Sequence, residues 1–107
     1  MARALINAPA AARAGEVIEI RTLITHPMET GFRPGADGKT LPRDIITRFT
    51  CRYSGELVFA AELFSAVAAN PFLAFHTVAT KSGVILCTWE GDNGFSQSES
   101  VSITVIG

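Results

Sequence analysis

The sequence predicts an all-β fold, an immunoglobulin- or fibronectin-III-like antiparallel β-sandwich of about seven strands, with residues 1–107 as a single domain. Three observations carry this. Apolar and polar residues alternate with period two through most of the chain, which turns one face of each segment to a core and the other to water. The clusters Ala14-Gly15, Ser54-Gly55, Lys81-Ser82-Gly83 and Gly91-Asp92-Asn93-Gly94 break those runs, at the short spacing typical of a sandwich. A chain of 107 residues supports one real core and no second domain.

Residues 3–6 read as a short edge strand. In residues 16–24, Ile18, Ile20, Thr22 and Ile24 share one face, with Glu19 and Arg21 on the other. From Ile46 to Tyr53 the alternation is cleaner: Phe49, Cys51 and Tyr53 point inward, Arg48, Thr50 and Arg52 outward. Ser54-Gly55 forms a tight hairpin into a strand over 56–63. Further strands are expected over 72–78, 84–90 and 99–106, the last with Val101, Ile103 and Val105 facing in. Residues 60–69 are alanine-rich and have helical propensity. Gly55 and Asn70-Pro71 leave a helix little room there, so the segment reads as strand and then loop.

Composition bounds the function. Nine Lys and Arg stand against ten Asp and Glu, for a net charge of -1. A surface for nucleic acid or anionic lipid needs a basic excess. No apolar run approaches the ~18 residues of a membrane span. Residues 1–9 hold no 7–15-residue apolar stretch of the kind a secretory signal requires, so by itself the start of the chain reads as cytoplasmic. Charged residues make up only 18% of the chain and hydrophobic ones 48%. Such a small domain is expected to leave apolar side chains exposed, and exposed apolar patches mark partner surfaces.

Residues 25–44 form the longest stretch without periodicity, with Pro27, Pro34 and Pro42 and Gly31, Gly35 and Gly38 among alternating charges. A loop of that length in a compact domain usually has a function. Glu29, Asp37 and Asp44 share it with Arg33, Lys39 and Arg43, and the alternation of sign reads as mutually compensating surface charge rather than an acid–base pair. His26 and Met28 flank Pro27, and with His76 they offer a soft copper site. The simpler alternative is a loop whose imidazole caps backbone and whose methionine packs. Cys51 and Cys87 are either core thiols, a disulfide or, least simply, a reactive thiol. Expected on adjacent strands of one sheet, they are awkwardly placed for a bridge. No nucleophile elbow, phosphate loop or Cys-x-x-Cys pair occurs, so an enzyme is not expected.

One stretch is specific. Ile24-Thr25-His26-Pro27-Met28-Glu29-Thr30-Gly31-Phe32-Arg33, followed by Gly38-Lys39-Thr40-Leu41-Pro42-Arg43, resembles the SoxZ family of sulfur-oxidation proteins. Gly15 with the strand after it, the Val58-Phe59 pair, Ala68-Ala69-Asn70-Pro71-Phe72 and Trp89-Glu90-Gly91-Asp92-Asn93-Gly94 extend the likeness along the chain in order. The resemblance implies a non-catalytic subunit without a cofactor. Its partner in an obligate heterodimer would be SoxY, whose C-terminal Gly-Gly-Cys-Gly-Gly arm carries the sulfur substrate. This subunit would help present that arm to other Sox proteins, which it contacts transiently. It would work in the periplasm, exported with SoxY on the partner's signal. His26, Pro27, Met28, Glu29, Thr30 and Gly31, with Arg43 and the Asn70, Pro71, Phe72 turn, are the candidates for partner contact or loop shaping. Pro27 fixes its own φ and biases His26 towards an extended conformation, Gly31 can supply a positive φ, and Arg43 is placed to anchor the loop. Cys51 and Cys87 lie outside the pattern.

Overall fold

The computed structural model describes residues 3–107, and within them the chain is a two-sheet sandwich. Strands β1 (Ala4–Asn7), β3 (Val17–Ile24) and β6 (Phe72–Val78) form one sheet, in the order β1-β3-β6. The other has five strands: β2 (Ala11–Arg13), β8 (Ser96–Ile106), β7 (Gly83–Gly91), β4 (Ile46–Tyr53) and β5 (Glu56–Glu62), in the order β2-β8-β7-β4-β5.

The strands number eight rather than about seven, because the N-terminal run changes sheets. β1 pairs antiparallel with β3, Ala4 opposite Ile24, whereas β2 runs parallel to β8 with Ala11 opposite Thr104. Pro9 sits at the crossing, where its missing N–H interrupts no ladder. β8 also starts three residues earlier than the pattern predicts. Ser96 and Ser98 pair with Glu90 and Thr88 of β7 and have no apolar alternation to announce them. The alanine-rich 60–69 segment is strand to Glu62 and irregular beyond, as expected.

Packing follows the predicted faces. Ile18, Ile20, Thr22 and Ile24 are buried from one sheet, and Phe49, Cys51 and Tyr53 from the other. Thr22 stays satisfied inside by donating its hydroxyl to the Leu73 carbonyl at 3.0 Å. The sheets are joined by aromatic rings: Phe59 stacks on Phe75 at 4.3 Å and Phe49 lies 5.8 Å from Phe75, while Trp89 backs Phe49 at 5.2 Å within the five-stranded sheet. Burying each such side chain contributes about 1.5–3 kcal/mol. The Tyr53 hydroxyl accepts from the Thr80 and Lys81 amides at 3.2 Å and donates to the Lys81 carbonyl, tying β4 to the β6–β7 connection. Ser54 and Gly55, at φ 50 and 85, make the β4–β5 hairpin turn, both in the left-handed region that a type I′ turn requires.

Cys51 and Cys87 are buried and unbridged, and they face each other directly as cross-strand partners in β4 and β7. They lie on adjacent strands of one sheet, as expected. Directly opposed antiparallel residues have Cα atoms about 4.5–5.5 Å apart, within the ~4.4–6.8 Å that disulfides span.

Candidate functional site

The strands deliver the 25–44 segment and the connections after β5 and β7 to one end of the sandwich. There the long loop is an ordered excursion. Glu29 and Asp44 exchange both backbone hydrogen bonds at 2.9 Å, and a second bridge joins Pro34 to Thr40. Gly35 N–H donates to the Lys39 carbonyl at 2.6 Å, closing the tip. Of the alternating charges, Arg33 pairs with Glu29 at 2.6 Å and holds its carboxyl below the usual range.

His26, Pro27 and Met28 make a turn in which side chains do the backbone's pairing. The His26 ring is buried, and its Nδ1 accepts the Met28 N–H at 3.0 Å, so the tautomer that fits carries its proton on Nε2. Met28 is held at φ 50, a region costly for a non-glycine residue. Its buried sulfur accepts the Ile46 N–H at 3.2 Å, just where β4 begins. Asn70, also left-handed at φ 55, clamps the His26 backbone from both sides. Its side-chain oxygen accepts the His26 N–H at 3.0 Å, and its own N–H donates to the His26 carbonyl at 2.9 Å.

Arg43 anchors the other limb. Its guanidinium forks onto Asp92 at 2.8 and 2.9 Å, while Asp92 also accepts the Ile45 N–H at 3.2 Å. The Arg43 hydrogen bonds, then the one from Ile45, hold the Asp92 carboxyl below its ordinary range. Gly31 lies against this anchor at φ 89, and a Cβ there would come within 3.0 Å of the Arg43 Cβ. Thr30 bonds to the Phe32 amide through its hydroxyl and receives the Ser65 hydroxyl on its carbonyl.

These contacts shape an open cleft of about 600 Å³, lined by Thr25, His26, Pro27, Asp44, Asn70, Asp92, Asn93 and Phe95. The Phe95 ring meets the imidazole edge-to-face at 5.0 Å, and His26 Nε2 stands 3.9 Å from an Asp44 oxygen. Among the predicted residues, His26, Pro27 and Asn70 meet in the cleft. Met28 is buried, Glu29, Thr30, Gly31 and Arg43 shape the loop, and Pro71 is buried with its carbonyl accepting the Ile24 N–H. Phe72 is exposed and opposite Leu23, which is in turn opposite Leu5. Sequence reasoning did not place Asp44, Asp92, Asn93 or Phe95 in a site. The Gly91-Asp92-Asn93-Gly94 turn was the available signal, since Asn93 takes φ 60 there.

The lining offers hydrogen-bonding groups and one aromatic wall, with no Ser, Cys or Lys. His26 has spent Nδ1 on Met28 and cannot take a proton there without losing that bond. The soft copper site is not assembled. The Met28 sulfur is buried and bonded to Ile46, and His76 lies on β6 with its Nε2 3.8 Å from Glu19. Among the described residues no three His, Cys, Asp or Glu gather as a metal site, and no helix is long and apolar enough to cross a membrane.

The same sandwich occurs in the superoxide reductase (neelaredoxin) of Ignicoccus hospitalis, with 18% identity, a TM-score of 0.73, and coverage of 96% of this chain and 80% of that one. It occurs also in the sulfur carrier protein SoxY of Chlorobium limicola, at 11% identity and a TM-score of 0.69 over 97% of this chain and 79% of that one. A putative superoxide reductase from Thermotoga maritima aligns at 17% identity and a TM-score of 0.66, over 97% of this chain and 86% of that one. At such identities the likeness concerns the fold alone. No curated protein matches the chain. The family of the sulphur oxidation protein SoxZ matches residues 6–102, which include the His26–Gly31 turn, the Asn70 clamp and the Arg43–Asp92 anchor, and the chain belongs to that family.

Proposed function

We propose that this protein is the non-catalytic scaffold half of a SoxY-type sulfur carrier, an obligate heterodimer partner that helps present the carrier's cysteine-bearing arm to the other Sox proteins. The observation that carries this reading is the family match over residues 6–102. The site supports it in three ways. The cleft is lined by no Ser, Cys or Lys, and its histidine is committed to a turn. Backbone strain gathers at this end, where Met28, Asn70 and Asn93 hold positive φ; such strain clusters at binding and clamp sites. An apolar row, Leu5–Leu23–Phe72, crosses the outer face of the three-stranded sheet, with Phe72 59% exposed, and leads away from the cleft through the Asn70-Pro71 turn.

In this reading the outer row and the rim of the cleft contact SoxY, and His26 and Met28 keep the rim in shape. The working compartment is the periplasm, reached with the partner. Co-expression with the SoxY-like protein of the same source, followed by size exclusion with mass detection, tests the pairing. A one-to-one complex that survives salt supports it. Separate elution of two stable monomers overturns it. In a reconstituted thiosulfate-oxidising system, a His26 or Met28 variant that still folds is expected to lower turnover.

A further inference from the structure

We propose that Cys51 and Cys87 form a dithiol site that closes to an intramolecular disulfide when the chain folds in the presence of a low-molecular-weight disulfide. The inference goes beyond the carrier role and rests on the placement of the two residues. They lie in β4 and β7, adjacent strands within the five-stranded sheet, and oppose each other directly. The inward rungs on either side join large side chains, Phe49 with Trp89 and Tyr53 with Ile85. Only this rung joins two thiols, both fully buried. Cα atoms in a directly opposed pair are within disulfide range.

In the open chain either cysteine can react first, and the exchange is the same from each. The Cys51 thiolate attacks one sulfur of R–S–S–R, making Cys51–S–S–R and releasing RS⁻. The Cys87 sulfur then attacks the Cys51 sulfur, the Cys51–Cys87 bond forms, and a second RS⁻ leaves. The two protons lost by the cysteines convert both leaving groups to RSH. The protein gives up two electrons and the small disulfide is reduced to two thiols. Because both sulfurs are sealed in the native core, the oxidant reaches them before β4 and β7 close, so the site acts during folding. The bond encloses β5, the connection after it and β6, and so ties the unfolded chain across segments of both sheets.

The full chain, unfolded and reduced, is refolded with reduced and oxidised glutathione and examined by intact mass and peptide mapping. The expected product is lighter by about 2 Da and resists alkylation after denaturation. It yields a Cys51–Cys87 cross-linked peptide, and its melting temperature is higher by roughly 10 °C, reversed by a reductant. A native product with both thiols alkylatable after denaturation overturns the proposal, as do glutathione held on one cysteine, a cross-link between chains, or a bridged chain that melts lower. The mapping uses the wild-type protein alone, so it does not depend on a cysteine variant folding. Neither result bears on pairing with SoxY, which the co-expression experiment reads separately.

Discussion

The middle of the sandwich and its cleft end solve the same problem by different means. In the middle, backbone N–H and C=O groups pair strand to strand, and side chains such as Phe49 and Phe75 have only to fill space. At the cleft end the ladder runs out, and side chains take over the pairing. The His26 ring serves Met28, the Met28 sulfur serves Ile46, Asn70 serves His26, and Asp92 serves Ile45. A buried N–H without a partner costs about 1–3 kcal/mol, so the end tolerates few residue types. The specificity of the His-Pro-Met-Glu-Thr-Gly motif is thereby explained by backbone accounting and loop shape, with no catalytic role required.

The largest expected effect is in the middle. Trp89→Ala or Phe49→Ala should cost about 3–5 kcal/mol, read as a fall in the urea midpoint at unchanged slope, and the loss should reach both sheets at once. A cost under ~1 kcal/mol would mean that the aromatic cluster does not join the sheets.

Next comes Met28→Leu, which keeps volume and removes only the sulfur acceptor for Ile46. It should cost about 1–3 kcal/mol, whereas a volume-conserving swap at an ordinary core position costs under ~1.5 kcal/mol. Equal stability of the variant and wild type would show that sulfur is replaceable there.

Histidine can be separated in the same way. His26→Ala should lose about 1–3 kcal/mol by orphaning the Met28 N–H. His26→Asn should recover part of this, because an Asn oxygen can bond to the backbone amide two residues on. Proton exchange of the Met28 amide, followed by NMR, reads the bond directly and should quicken in the alanine variant and less in the asparagine one.

The smallest effect is electrostatic. Asp92 titrates lower in the folded protein than in the unfolded chain, chiefly because Arg43 hydrogen-bonds its charged form. Its contribution is therefore complete above the unfolded carboxylate pKa of about 3.9 and is lost as pH falls through the lower, folded value. Stability measured by urea titration should decline below about pH 4, and Arg43→Ala should flatten that decline. An identical acid limb in the variant would show that the fork does not set the Asp92 carboxyl.

The same contrast explains what the sequence revealed. Period-two alternation marked β3, β4 and β6 nearly to the residue, because one face of each meets the core. It did not reveal β2, three residues long, or the serine-rich start of β8, where pairing with β7 substitutes for an apolar face. At the cleft end no periodicity exists to be read. The motif pointed to His26, Pro27 and Asn70, but Asp92 lies 49 positions from Arg43 and meets it only through the fold. Phe95 and Asp44 likewise became visible as cleft residues only in three dimensions. The exposed apolar surface implied by composition is present among the described residues, with Leu5, Leu23 and Phe72 aligned across one face.

Hydrogen–deuterium exchange of this chain, alone and with the SoxY-like protein of the same source, tests the partner-binding account most directly. The account predicts slower exchange on adding the partner in β1, β6 and the His26–Gly31 turn, with β7 little changed. Identical exchange throughout, at protein concentrations where both subunits remain folded, would contradict it.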